Sequence, residues 1–172
     1  MEPTIRTWTI EDASALAAVI NNKKVQDNLR DGYPFPCTEA NAAYFIRTVL
    51  NVNPNTMFAF AIVYEGKVVG SIGLTRQENI HCRTAELGYF LGEPYWGKGI
   101  ATRAVKDACQ YVFENTDILR IFADPFACNT ASCRVLEKNG FQYEGTMRQN
   151  AVKNGKVLDM KLYALIKEKA GI

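Results

Sequence analysis

The chain has 172 residues, 20 Lys and Arg against 18 Asp and Glu, and a formal net charge of +2. That length suits one domain spanning residues 1–172, and 48% hydrophobic residues suffice for a packed core. So small a charge makes no case for a nucleic-acid surface, and no run approaches the ~20 apolar residues that cross a bilayer.

In chain order, Ile5 to Trp8 reads as a short strand. Thr9-x-x-Asp12 reads as a capping box before a helix whose buried face is Ala13, Leu16, Ala17 and Ile20. Asn21 to Asp31 is polar and leads into Gly32-Tyr-Pro-Phe-Pro36, a loop stiffened by two prolines. Thr38 is an N-cap for a second helix with the apolar stripe Ala42, Phe45, Ile46 and Val49. Met57 to Tyr64 and Val68 to Thr75 are strands joined through Glu65-Gly66-Lys67, a connection tight enough to make them antiparallel. Thr84 to Leu91 is the next strand.

Glu93-Pro-Tyr-Trp-Gly-Lys-Gly-Ile-Ala-Thr102 then opens a helix beginning near Lys98, with Ala101, Ala104, Val105, Ala108 and Val112 on one face. The first N–H groups of a helix lack intrahelical partners and sit at the positive end of its dipole, so such a turn suits anionic oxygen. A tight strand-to-helix turn with no ligand is the plainer reading of the same glycines. A P-loop is excluded, because no Gly-Lys-Ser or Gly-Lys-Thr closes the motif. A dinucleotide fingerprint is the nearer rival, with Asp124 as its acid. Against it stand the missing third glycine, four residues between Gly92 and the turn, and Pro125 directly after Asp124.

Ile118 to Asp124 is a strand. Asn129 caps the next helix, and Gly140 ends it with Phe141 turned back on Leu136. In that helix Ala131 and Val135 face one way, while Arg134, Glu137 and Lys138 face water. Gln142 to Gln149 and Val157 to Lys167 form a last hairpin around Asn154-Gly155. The one crossover, Thr84 to Asp124, requires a parallel pair within an otherwise antiparallel sheet.

Several segments together resemble the GNAT superfamily of N-acetyltransferases, in the branch that includes the ribosomal-protein alanine N-acetyltransferases. Tyr-Trp-Gly-Lys-Gly-Ile-Ala-Thr is similar to the acetyl-CoA pyrophosphate loop of that superfamily, with Trp96 where Gln or Arg usually stands. Ala85-Glu-Leu-Gly-Tyr89, Asn129-x-x-Ser132 leading to Lys138-Asn-Gly-Phe141, Arg148…Asn154-Gly-Lys…Asp159…Tyr163 and Asp31-Gly-Tyr-Pro-Phe-Pro36 match further segments in the right order. The resemblance implies an α/β (α+β) fold, whose mixed, mostly antiparallel central sheet has about seven strands, splayed in the middle, with about four helices on both faces. It implies acetyl-CoA as co-substrate, no metal, and acetyl transfer to a primary amine by direct attack in a ternary complex. The acceptor would be a small-molecule amine or a peptide or protein N-terminus. Monomer and homodimer both stay open.

The resemblance assigns the pyrophosphate to the backbone of Gly97, Lys98, Gly99, Ile100, Ala101 and Thr102. The pantetheine arm falls along Tyr89, Phe90 and Leu91, near Asn129. Arg103 is either a phosphate contact or a solvated helix arginine. Glu86, on an otherwise apolar strand, is the first candidate base, with Asp159 in reserve. Ser132 is the candidate donor to the departing thiolate, and Tyr143 and Tyr163 are its rivals. Tyr33 and Phe35 are candidate acceptor contacts. In ribosomal-protein acetyltransferases of the branch a glutamate base lies on the strand after the Gly-Phe segment. The matching position here is near Ala151, which weighs against a ribosomal N-terminus. A non-catalytic acyl-CoA-binding or regulatory domain is the alternative, and a nucleotide-binding oxidoreductase a weaker one.

The five cysteines, Cys37, Cys82, Cys109, Cys128 and Cys133, are scattered, and His81 is the lone histidine, so neither a structural zinc site nor a cysteine–histidine dyad is expected. Free thiols and a start without signal-peptide character point to the cytoplasm.

Overall fold

A computed structural model of the chain describes residues 2–168. The elements run β1 (Thr4–Arg6), α1 (Ala13–Ile20), α2 (Lys23–Gln26), α3 (Glu39–Asn51), β2 (Met57–Tyr64), β3 (Lys67–Arg76), β4 (Thr84–Leu91), α4 (Ile100–Asn115), β5 (Arg120–Ala123), α5 (Thr130–Lys138), β6 (Gln142–Lys153) and β7 (Lys156–Ile166). The seven strands form one sheet in the order β1-β2-β3-β4-β5-β7-β6. Only β4 and β5 pair in parallel; every other neighbouring pair is antiparallel.

Local chemistry fixes most element ends. Asp12 accepts the Thr9 N–H at 2.9 Å and is gripped by both Arg6 nitrogens at 2.7 and 2.8 Å. Thr38 Oγ1 accepts the Asn41 N–H at 3.1 Å, as an N-cap does. α5 ends in a Schellman pair: Phe141 N–H donates to Leu136 and Gly140 N–H to Glu137, at 3.1 and 3.0 Å. The two hairpins turn through Glu65-Gly66 and Asn154-Gly155, all four at positive φ. The stretch Asn21 to Asp31, read only as polar, holds α2, whose N-cap Asn22 accepts from Lys24 and Val25 N–H at 2.9 and 3.3 Å. There are therefore five α-helices rather than four among the described residues.

Helices cover both faces. On one, α4 and α5 close a core with Ile62, Ile72, Leu74, Val105, Ile121 and Leu136. On the other, α1 and α3 pack Leu16, Ile20 and Ile46 beside Trp8 and Ala61. Leu16, Ile20, Ile46, Ile62, Ile72, Leu74, Ile121 and Leu136 have almost no exposed surface, and burying each such side chain contributes ~1.5–3 kcal/mol. No helix among the described residues is long and apolar enough to cross a membrane.

The sheet parts between β4 and β5, as the resemblance implies. β4 and β5 pair at Thr84↔Arg120, Ala85↔Ile121 and Glu86↔Phe122, and no further. Asp124 and Pro125 follow β5, and proline has no N–H to extend a ladder. Phe126 instead bridges to Met160 of β7. From Leu87 to Leu91, β4 keeps β3 on one side and an open gap on the other.

Candidate active site

Gly97 and Gly99 adopt φ of 73° and 76°, and Gly99 is the N-cap of α4. A Cβ at either would meet no protein atom within 4 Å, so the backbone angle, and not crowding, requires glycine here. The first backbone bond of α4 runs from Arg103 N–H to Gly99 C=O at 3.1 Å. The N–H groups from Gly97 to Thr102 have no protein acceptor among the described residues. Six donors at the positive end of a 16-residue helix make a cradle suited to anionic oxygen.

Two bonds hold this cradle in place. Trp96 Nε1–H donates to Leu91 C=O at 2.8 Å, tying the loop to the end of β4. Asn139 Nδ2 donates to Thr102 C=O at 3.2 Å, tying the first turn of α4 to the end of α5. The ammonium of Lys98 lies 5.6 Å from the Tyr95 ring centre. Arg103 is engaged by Asp107 at 2.8 Å and Glu2 at 2.9 Å.

A cavity of about 360 Å³ runs from this loop into the gap between β4 and β5. Tyr89, Phe90, Leu91, Gly97, Gly99, Ile100, Ala101, Thr102, Asn129 and Ser132 line it, whereas Lys98 does not. Arg134 and Lys138, one helical turn apart on α5, line it too. At its inner end Ser132 Oγ and Tyr89 Oη are 2.8 Å apart, and Tyr89 O–H reaches Ser132 C=O at 3.2 Å. Asn129 Oδ1 accepts the Ser132 N–H at 3.2 Å. Burial pushes the Tyr89 phenol well above its ordinary pKa, so it stays a neutral donor. Tyr143 bonds Thr146 at 2.7 Å and Tyr163 bonds Glu137 at 2.9 Å; neither lines the cavity.

A second cavity, of about 330 Å³, opens on the other side of the strand. Tyr33 lies in its wall, 5.2 Å from the Phe45 ring centre and 5.8 Å from that of Phe90. Phe35 is 54% exposed and lines neither cavity. Glu86 faces this cavity, and so does Asp124. One nitrogen, Arg30 Nη2, lies 2.5 Å from Glu86 Oε1 and 2.5 Å from Asp124 Oδ1. Burial raises the Asp124 pKa and the Glu86 charge adds to that, while Arg30 pulls the other way. Asp159 accepts from Gln149 N–H at 2.8 Å, away from both cavities. The two cavities share Asn28, Leu29, Tyr89, Phe90, Asn129 and Ser132, so they meet where the strands part.

Residues 4–142 match a family model described as an acetyltransferase (GNAT) domain. The chain belongs to the GNAT acetyltransferases. It is 32% identical over 171 residues to the putative ribosomal N-acetyltransferase YdaF of Bacillus subtilis, covering 95% of this chain and 91% of YdaF. It superposes on the ribosomal-protein-S5-alanine acetyltransferase of Vibrio fischeri with a TM-score of 0.88, covering 98% of this chain and 94% of that one at 24% identity. It also superposes on RimL, a ribosomal L7/L12 alpha-N-protein acetyltransferase in complex with coenzyme A, with a TM-score of 0.87 at 23% identity, covering 96% and 94%. At those identities the two structures establish the fold.

Within this GNAT fold Arg30, Arg134 and Lys138 lay outside the sequence reading as functional candidates, and Asp124 entered it only as the acid of the rival fingerprint. Arg134 and Lys138 were read as solvent-facing. Their spacing of four residues, on the helix that starts at Asn129, is the signal that one face of α5 carries two cations toward one place. Asp124 and Arg30 are brought together across 94 positions of sequence, and no local pattern carries that.

Proposed function

We propose that this chain is an acetyl-CoA-dependent N-acetyltransferase that moves the acetyl group to a primary amine by direct attack in a ternary complex. The observation that carries the reading is the meeting of two cavities, one beside an anion cradle and one beside a carboxylate, at Tyr89, Asn129 and Ser132. When bound, the thioester supplies an acyl carbon activated by a sulfur leaving group. The N–H groups of Gly97, Lys98, Gly99, Ile100, Ala101 and Thr102 hold the diphosphate, with Arg134 and Lys138 beside it. The free edge of β4 from Tyr89 to Leu91 takes the pantetheine arm as an added strand would, and Asn129 meets its amides. On the acceptor side Tyr33 forms a wall, and Glu86 takes the proton that the ammonium must lose before its nitrogen has a lone pair. Ser132, backed by the neutral Tyr89 phenol, offers a hydrogen bond to the departing sulfur. Holding both partners across one gap turns a bimolecular step into an effectively unimolecular one.

The acceptor is a protein or peptide N-terminus or a small-molecule amine. YdaF and the Vibrio fischeri protein carry ribosomal names, which supports the first; the alanine at position 151 supports the second. The test is free-thiol release from acetyl-CoA against Ala- and Ser-starting peptides, single amino acids, spermidine and an aminoglycoside. Amine-dependent release, lost in Glu86→Gln, is the expected result. Coenzyme A binding without release for any amine supports the alternative, a non-catalytic acyl-CoA-binding domain. No binding at all overturns the cradle.

A further inference from the structure

The Arg30 contact deepens that reading and rests on the second cavity being the acceptor's. We propose that the Arg30 guanidinium occupies the place of the acceptor's ammonium, so that the acceptor enters as a cation and displaces it from between Glu86 and Asp124.

The geometry is that of a cation site already filled by the protein itself. Two carboxylate oxygens, one from each side of the parting strands, converge on a single nitrogen, so they lie at most 5.0 Å apart, twice the 2.5 Å of each contact. A primary ammonium has three N–H donors on one atom, and it bridges such a pair as readily as one guanidinium nitrogen does. The two carboxylates are fixed: Glu86 by its place in β4, Asp124 by the end of β5. Their side chains are 26% and 19% exposed. Arg30 is the movable member. It sits in the segment between α2 and α3, its side chain is 60% exposed, and its guanidinium holds no further hydrogen bond among the described residues. Ion pairs that open to water are weak, so exchanging one cation for another costs little.

With Arg30 in place a cation faces both carboxyl groups; with Arg30 swung out the pair has lost that counter-charge. The lining mixes small groups (Ala59, Gly73, Gly88), rings (Tyr33, Phe45) and the side chains of Met57 and Thr75, with Thr75 directly across from Glu86. The substrate class that follows from the carboxylate pair is a primary ammonium, and neutral acceptors such as alcohols are excluded. Arg30 is thereby a specificity-determining residue. It covers the carboxylate pair until a competing cation arrives, and it sets the affinity that cation needs.

The experiment is calorimetric titration of n-butylamine, with n-butanol as the neutral control, into coenzyme A-bound protein near neutral pH. Without an acetyl group no turnover intervenes. Arg30→Ala, and Arg30→Met, which keeps the aliphatic stem, are expected to bind n-butylamine about ten-fold more tightly than the parent, the scale of two partly exposed ion pairs. Asp124→Asn and Glu86→Gln are each expected to bind it about ten-fold more weakly, and n-butanol is expected to bind to none. Equal or weaker amine binding in both Arg30 variants, with melting temperatures near the parent's, overturns the proposal. So does n-butylamine affinity in Asp124→Asn equal to the parent's. If coenzyme A itself does not bind, the acetyltransferase reading fails, and the same titration of the ligand-free variants still decides the role of Arg30.

Discussion

Replacing Gly99 with alanine separates the fold's demand on this position from the ligand's. Gly99 has φ 76° and ψ 1°, a left-handed conformation that costs an L-residue roughly 1–2 kcal/mol. The added Cβ meets no protein atom within 4 Å, so no clash adds to that figure. For a chain of this size each kcal/mol lowers the melting temperature by about 2–4 °C, so a fall of roughly 2–8 °C follows. Gly66 in the β2–β3 turn is the matched control. Its φ is also 76°, and a Cβ there also meets nothing within 4 Å. Gly66→Ala is expected to cost the same in melting temperature and nothing in coenzyme A affinity. Gly99→Ala places a methyl group among the N–H donors of the cradle, and losing one or two charge-assisted bonds at about 1.5–3 kcal/mol each weakens coenzyme A binding ten-fold or more. The assay is a thermal melt beside a calorimetric titration with coenzyme A for both variants. Equal affinity in the two variants refutes the assignment of the diphosphate to Gly97 through Thr102.

Ser132→Ala is expected to lower kcat about ten-fold with little change in the acetyl-CoA KM. Adding Tyr89→Phe is expected to cost less than its own single effect, because the two hydroxyls act as one pair. Trp96→Phe keeps the ring and removes the 2.8 Å bond to Leu91 C=O, so the acetyl-CoA KM rises several-fold. Trp96 is 42% exposed and Trp8 only 3%, so a change in emission on coenzyme A binding is expected in the parent and absent in this variant. Asp12 is held below its ordinary pKa chiefly by its hydrogen bonds from Arg6, against the opposing pull of burial. Its contribution to stability is therefore complete above its unfolded pKa of about 3.9 and lost as pH falls through the lower folded value. Asp12→Asn is expected to flatten the acid limb of a melting-temperature-against-pH curve in that window, and an unchanged limb would refute the link.

The elements were legible because each carried its own local chemistry. Thr38, Asn129 and the Gly140–Phe141 ending announced helix boundaries, and Glu65-Gly66 and Asn154-Gly155 announced hairpins. The glycine turn opening a helix was legible from its spacing, though α4 starts at Ile100, two residues past the expected start, since Gly99 is spent as the cap. α2 was not legible: one turn held by Asn22 has no apolar periodicity to detect. Nor was the strut from Trp96, because an indole in place of Gln or Arg says nothing of the carbonyl it will find. The hardest part was the acceptor side. Arg30, Glu86 and Asp124 come from a loop, a strand and a strand end, and only the folded chain brings them within reach of one another.

The alternation of β4 is what would let one short strand serve both halves of the proposed transfer. Successive side chains in a strand point to opposite faces. Tyr89 and Leu91 pack toward α4 and α5, beside the cradle, whereas Phe90 packs with Tyr33 toward α1 and α3. Glu86 and Gly88 share the parity of Phe90 and line the second cavity. A sheet closed on both sides of β4 would keep these two faces apart. The gap left where β5 stops at Ala123 lets them communicate past the strand's own edge, and the edge offers unpaired backbone groups to whatever lies there. Insert one residue into β4 between Glu86 and Tyr89, and the carboxylate would move to the cradle's face while the phenol kept its place. Both cavities would survive, but no base would face the acceptor, so the pleat of β4 is as much a part of the proposed chemistry as the side chains it carries.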